Sequence, residues 1–152
     1  MATSKTKEYV NPWLYKGVPY SGEINSLFMG MVYVITNKSN GKMYLGKKLF
    51  WSKKTLPPLK GNVKKRKSIV ESDWKSYYGS SILVKNLLKE EGESIFYREI
   101  LHFGKTKGEL GYLEAQEQFD RKVLLDDNYY NGIISCRIHR SHVNSLKEDN
   151  NV

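Results

Sequence analysis

Two spacings of hydrophobic residues organise the chain. Over about 31–37 and 42–49, apolar and polar positions alternate with the two-residue period of strands. Asn40-Gly41 lies between them, and a type I′ turn needs positive φ at both central residues, so the spacing predicts a β-hairpin. A two-residue turn there pairs Tyr33 with Lys48, Ile35 with Gly46 and Asn37 with Tyr44. One face then carries Tyr33, Ile35, Asn37, Tyr44, Gly46 and Lys48, polar and aromatic beside a glycine. The other carries Val34, Thr36, Met43, Leu45 and Lys47 and is expected to be core. A glycine inside a strand marks close approach by a backbone or a ligand.

Helical spacing takes over further along. Leu83, Leu87 and Leu88 predict a helix over about 81–91, with Ser80 or Ser81 as N-cap and Gly92 as its stop. Ile95 to Phe103 alternates poorly but is rich enough in β-formers for a third strand. A second helix is expected over about 107–124, with Tyr112, Ala115, Phe119 and Val123 as its apolar stripe and Leu113 and Leu124 flanking. Residues 9–29 carry Tyr9, Trp13, Tyr15 and Tyr20 among prolines and glycines, which reads as extended chain with aromatic anchors. Residues 131–138 also read as extended, and the ends are polar. The order β-β-loop-α-β-α predicts an α+β domain, a small antiparallel sheet flanked by helices.

Composition narrows the class. The 152 residues suffice for one core, and 39% hydrophobic with 12% aromatic residues suits a folded domain. No apolar run is long enough for a membrane span, and no signal-peptide pattern opens the chain. The lone Cys136 excludes an internal disulfide and agrees with a reducing compartment. One cysteine and three histidines supply no zinc set of ordinary spacing, so His102, His139 and His142 read as surface or packing residues.

Charge changes the picture most. Lys47, Lys48, Lys53, Lys54, Lys60, Lys64, Lys65, Arg66 and Lys67 fall in one stretch without an acid. They account for the whole net charge of +9, because the other 16 basic side chains match the 16 acidic ones. Such a cluster is a footprint for polyphosphate, and Phe50 and Trp51 beside it suggest stacking or an apolar wedge. Pro57-Pro58 and Gly61 argue that the segment is a loop. Nucleic acid is the expected partner, against solubility alone or an anionic membrane.

One carboxylate with a substrate phosphate suffices for magnesium, which keeps most of its waters. On the second helix Glu114 lies with Leu110, Glu117 and Arg121, away from the expected stripe, and pattern alone does not choose it over Glu117. A cation opposite Tyr33 would favour its phenolate, and the inferred hairpin puts Lys48 there.

Tyr33 and Tyr44-Leu45-Gly46 resemble the paired motifs of the GIY-YIG nucleases. Gly30-Met31-Val32-Tyr33, Tyr44-Leu45-Gly46-Lys47-Lys48, Glu71 to Ser81, Phe96 to Leu101, Tyr112-Leu113-Glu114-Ala115 and Tyr129-Tyr130-Asn131 follow in that family's order. The resemblance is to SegE-like GIY-YIG homing endonucleases of tailed phages. It implies a three-stranded antiparallel sheet flanked by helices, and a magnesium-dependent DNA endonuclease working in the cytoplasm, that of the host if phage-encoded. It also implies roles: Glu114 as the metal ligand, Tyr33 and Tyr44 activating water and orienting water or phosphate, and Asn131 pinning the site. The family's arginine has no clear counterpart; Lys48, then Arg66, then Arg98 are candidates to replace it. DNA contacts are expected at Lys47, Lys53, Lys54, Lys64, Lys65 and Lys67. Met31 stands where the family motif begins with glycine, which keeps open a binding module that has lost catalysis. The expected layout is an N-terminal extension over 1–29, a nuclease domain over 30–138 with a basic insertion at 47–76, and a tail over 139–152.

Overall fold

The computed structural model describes residues 11–150, the last three as backbone only. Its strands are β1 (Trp13–Tyr15), β2 (Val18–Tyr20), β3 (Gly30–Asn37), β4 (Met43–Leu49), β5 (Trp51–Leu56), β6 (Arg66–Glu71) and β7 (Phe96–Gly104). The helices are α1 (Ile82–Glu91), α2 (Lys107–Asp120) and α3 (Asn144–Asn150). Five strands form a mixed sheet in the order β2-β1-β7-β3-β4, while β5 and β6 pair separately.

The class is α+β, but the sheet is wider than the expected three strands. The antiparallel trio β7-β3-β4 is extended by β1, parallel to β7, and by β2. The reason is a turn at Lys16-Gly17, where φ is 51° and 80°, the positive pair a type I′ hairpin requires. The anchors Trp13, Tyr15 and Tyr20 are therefore built into the sheet, while Tyr9 lies outside the described residues; Trp13 is fully buried and its ring lies 5.1 Å from that of Tyr33.

The β3–β4 hairpin forms with a register two residues from the expected one. Tyr33 faces Gly46, Ile35 faces Tyr44, and Lys48 faces Met31. Asn37 is the cause. Its Oδ1 accepts from the Ser39 N–H at 3.0 Å and the Ser39 hydroxyl at 2.6 Å, an Asx turn that opens a longer loop. That loop closes with the Asn37 N–H donating to Lys42 O at 2.7 Å, and only Gly41 of its central pair takes positive φ. A slip of two keeps the period, so each side chain stays on its expected face.

Both faces of β3 are buried, so the tyrosine face is core as well. Met31, Tyr33 and Ile35 join Trp13, Phe50, Trp74, Phe96 and Ile100 on one side, while Val32 packs with Leu45 and Leu110 of α2 on the other. The poor alternation of β7 has a local origin. Val32 pairs with His102 but Tyr33 pairs with Ile100, so Leu101 is bulged out and the facing of later residues inverts.

The basic insertion is not a loop. β5 and β6 make a two-stranded antiparallel ribbon in continuous register from Trp51↔Glu71 to Leu56↔Arg66. Pro57-Pro58 and Gly61 occupy its tip. Phe50 is wholly buried against Trp74 and Phe103, so it offers no ring for stacking.

The face of α2 turned to the sheet also differs from expectation. Of the expected stripe Ala115 and Val123 are buried, but Tyr112 and Phe119 are exposed, and Glu109, Leu110 and Gln118 are buried instead. Each polar member has a partner: Glu109 accepts from the Lys105 N–H and Gln118 donates to Leu45 O. The expected polar tail contains α3, and His139 and His142 cap the preceding turn.

Candidate active site

The candidate site is built around two phenols in a cradle of glycines. Tyr33 comes from the middle of β3, and the direct cross-strand neighbour of Tyr33 is Gly46. A Cβ on Gly46 would lie 2.6 Å from the Tyr33 hydroxyl. The close approach that glycine permits is thus made by the first tyrosine. Gly79 closes the other side: a Cβ there would lie 2.9 Å from the Tyr44 ring and 3.3 Å from the Tyr33 hydroxyl. Its φ of 88° also favours glycine. The Tyr33 ring is 6.4 Å from Tyr44 and 6.0 Å from Tyr77, and the Tyr44 hydroxyl bonds Ser80 Oγ at 2.8 Å.

Gly46→Ala is therefore expected to displace the Tyr33 hydroxyl. Forced repacking of this kind costs about 1–3 kcal/mol. Denaturant titration measures that loss; a stability equal to the parent would mean the phenol moves aside freely.

Both phenols hold their protons more tightly than a free tyrosine. Burial raises Tyr33 well above its ordinary value, and Tyr77, Tyr44 and the Glu114 carboxylate add to the effect. Burial likewise raises Tyr44, against which the Ser80 hydrogen bond pulls down, while Tyr77 and Glu114 push up. Lys48 does not face Tyr33 as expected. Its ammonium pairs with Asp73 at 2.7 Å and sits 4.2 Å from the centre of the Tyr77 ring.

Glu114, on α2, lies close enough for its charge to act on both tyrosines. Burial raises its own carboxyl pKa, while the ammonium and main-chain N–H of Lys47 pull it down. The neighbouring Glu117 is committed elsewhere, to His102 at 2.7 Å and Arg121 at 3.0 Å. Glu114 makes no such ion pair among the described residues. A half-buried carboxylate outside those ion pairs suits one hard divalent cation of the magnesium type. Among the described residues no three His, Cys, Asp or Glu side chains cluster into a closed metal cage.

Asn131 holds the second motif from outside. Its Oδ1 accepts from the Leu45 N–H at 3.0 Å and its Nδ2 donates to Leu45 O at 2.7 Å, copying a neighbouring strand. Arg98 and Arg66 are engaged with other groups. Arg98 is 1% exposed, between the Trp13 and Tyr78 rings, and donates to Tyr77 O at 2.9 Å and to Asn11 O. Arg66 is exposed at the tip end of the ribbon, where its Nε donates to Pro57 O at 3.3 Å. Lys53, Lys54, Lys64, Lys65 and Lys67 are exposed in the same ribbon and its tip, and Lys47 is exposed on β4. Sequence pattern gave no role to Tyr77 or Gln118, and offered Ser80 only as an N-cap, a place that Ser81 takes. The run Tyr77-Tyr78-Gly79-Ser80, two aromatics before a glycine, was the available signal.

Comparison with known proteins gives the family of the chain. A family model described as putative endonuclease segE, GIY-YIG domain, matches residues 13–134. No curated protein and no solved structure matches the chain. The matched span runs from β1 through Asn131 and takes in both tyrosine motifs, the ribbon and Glu114. The chain therefore belongs to the SegE-type GIY-YIG endonuclease domain family.

Proposed function

We propose that the protein is a metal-dependent DNA endonuclease that hydrolyses or nicks a phosphodiester, homing-like and phage-borne, acting in the host cytoplasm. The observation that carries this reading is the meeting of two phenols at two glycines, within reach of the charge of the half-buried Glu114 carboxylate. Glu114 is the group that would hold the cation. When bound, a divalent cation polarises the phosphoryl oxygens and neutralises charge that develops on them. It also offsets the Glu114 charge that now disfavours phenolate at Tyr33 and Tyr44.

Tyr33, as phenolate, accepts the proton of the attacking water. Tyr44, fixed by Ser80, orients that water or a phosphate oxygen. Lys48 supplies fixed positive charge beside Tyr77, with the phosphate taking the place of Asp73 as its partner. Lysine offers charge without the bidentate fork of arginine. Asn131 keeps Leu45, and with it Tyr44 and Gly46, at a fixed edge position.

Nicking of supercoiled DNA by the pure protein with magnesium tests the reading. Cutting by the parent that disappears in Glu114→Ala is expected; equal cutting by both would remove Glu114 from the site. Because burial and neighbouring charge keep Tyr33 protonated, the rate should climb with pH through the alkaline range as phenolate accumulates. Tyr33→Phe should lack that climb. A Phe variant with the parental pH profile would transfer the base role elsewhere.

A second reading, a DNA-binding module without catalysis, is favoured by Met31 in the first motif and by the burial of Arg98. Binding without metal-dependent cleavage of duplex, branched or single-stranded DNA would select it.

A further inference from the structure

The β5–β6 ribbon has more order than phosphate attraction needs. We infer that it lies in the major groove of duplex DNA and determines which base pairs are presented to the tyrosine pair. The inference rests on the nuclease reading and adds its mode of substrate recognition.

Dimensions favour that groove. Paired strands lie about 4.8 Å apart, and a major groove about 12 Å wide admits a two-stranded ribbon without distortion, whereas the minor groove at about 6 Å must first be widened. Six paired residues extend about 20 Å before the tip begins. The A-form groove of RNA is too deep and narrow for the same insertion. Duplex DNA is the partner that fits.

The chemistry is that of a groove reader. Cross-strand partners share a face, so Lys53 stands with Ile69 and Thr55 with Lys67 on one side, while Lys54 with Ser68 lies on the other. Each face thus alternates cations with small polar or apolar groups. Cations satisfy phosphates or guanine, hydroxyls read either base edge, and an aliphatic group packs on the thymine methyl. Ile69 is 72% exposed in the middle of this basic ribbon, where solubility alone would not place it.

The root is held rigidly to the site. Ser72 donates through Oγ to Leu49 O at 2.6 Å and through its N–H to Phe50 O at 2.8 Å. Trp51 Nε1 donates to Phe28 O at 3.0 Å, and Trp74 Nε1 donates to Glu71 at 2.8 Å. β4 runs from Tyr44 through Lys48 into this root, so the bearing of the ribbon is fixed relative to the phenols. Recognition built on a clamped element is more exact than recognition by a free loop.

The test is fluorescence polarisation of the full chain on a labelled DNA duplex of about 30 base pairs, three helical turns. EDTA prevents cleavage during the measurement. Methyl green, which occupies the major groove, should displace the protein, and netropsin, which fills the minor groove, should not. An RNA duplex of the same sequence should bind at least tenfold more weakly. Replacing thymine by deoxyuridine removes only the major-groove methyl; it should weaken the parent severalfold and leave Ile69→Ser unaffected. Displacement by netropsin, indifference to methyl green, or equal affinity for RNA would overturn the groove assignment while nicking activity persisted. Absence of both binding and nicking would bring down this inference together with the nuclease reading.

Discussion

Glu114→Gln is expected to lower metal-dependent nicking by at least a hundredfold, about 2.7 kcal/mol of transition-state stabilisation. The exchange keeps the side-chain shape and one acceptor oxygen, so the fold has no reason to change. Stability should move the other way. Burial raises the Glu114 carboxyl above its ordinary value, so its ionised form disfavours the folded state. A raised folded pKa means stability present at low pH and lost as pH climbs through the folded value. Glutamine carries no such loss. At neutral pH the variant should melt at the parental temperature or above it, and the difference should vanish in acid. Thermal melts beside a nicking assay separate the two effects. A variant that loses activity only because it melts early would contradict this account.

Arg98→Ala should be the most damaging single change outside the phenol cradle. The guanidinium is buried between Trp13 and Tyr78, 4.6 and 4.2 Å from their ring centres, and donates to Tyr77 O and Asn11 O. Removing it strands carbonyl acceptors and opens a hole between two rings. Losses at comparable buried charged or large apolar sites run to about 3–5 kcal/mol. Denaturant midpoints give the number. A loss below about 1 kcal/mol, the scale of an exposed ion pair, would mean that water reaches the site and replaces the contacts. Activity should fall with it at assay temperature, since Tyr77 contacts both Tyr33 and Lys48.

What could be read in advance, and what could not, has physical reasons. The hairpin and its face assignment were legible because period two survives a slip of two. The register was not, since a turn dipeptide does not reveal that the Asn37 side chain opens the loop two residues earlier. Helix α1 was legible from its Ser81 cap and Gly92 stop. The inward face of α2 was misread because hydrophobicity marks the core, whereas this face meets the sheet through Glu109, Gln118 and the half-buried Glu114. A polar inward face is a frequent departure where function is installed. The ribbon was hidden because its strands carry cations, not a core-facing alternation, and Pro57-Pro58 sits at the tip, where proline leaves the pairing intact. Pattern placed Arg98 on a strand but gave no sign that it would be enclosed between Trp13 of the N-terminal arm and Tyr78 ahead of α1.

The outer edge of β4 has a further consequence. Asn128 and Tyr130 satisfy Met43, and Asn131 with Gln118 satisfies Leu45, so this margin offers little bare backbone to a newcomer. At the opposite margin Pro19 removes a donor from β2. Copies of the chain cannot readily stitch their sheets together at either rim, which guards a concentrated, strand-rich molecule against polymerising through its own working edge.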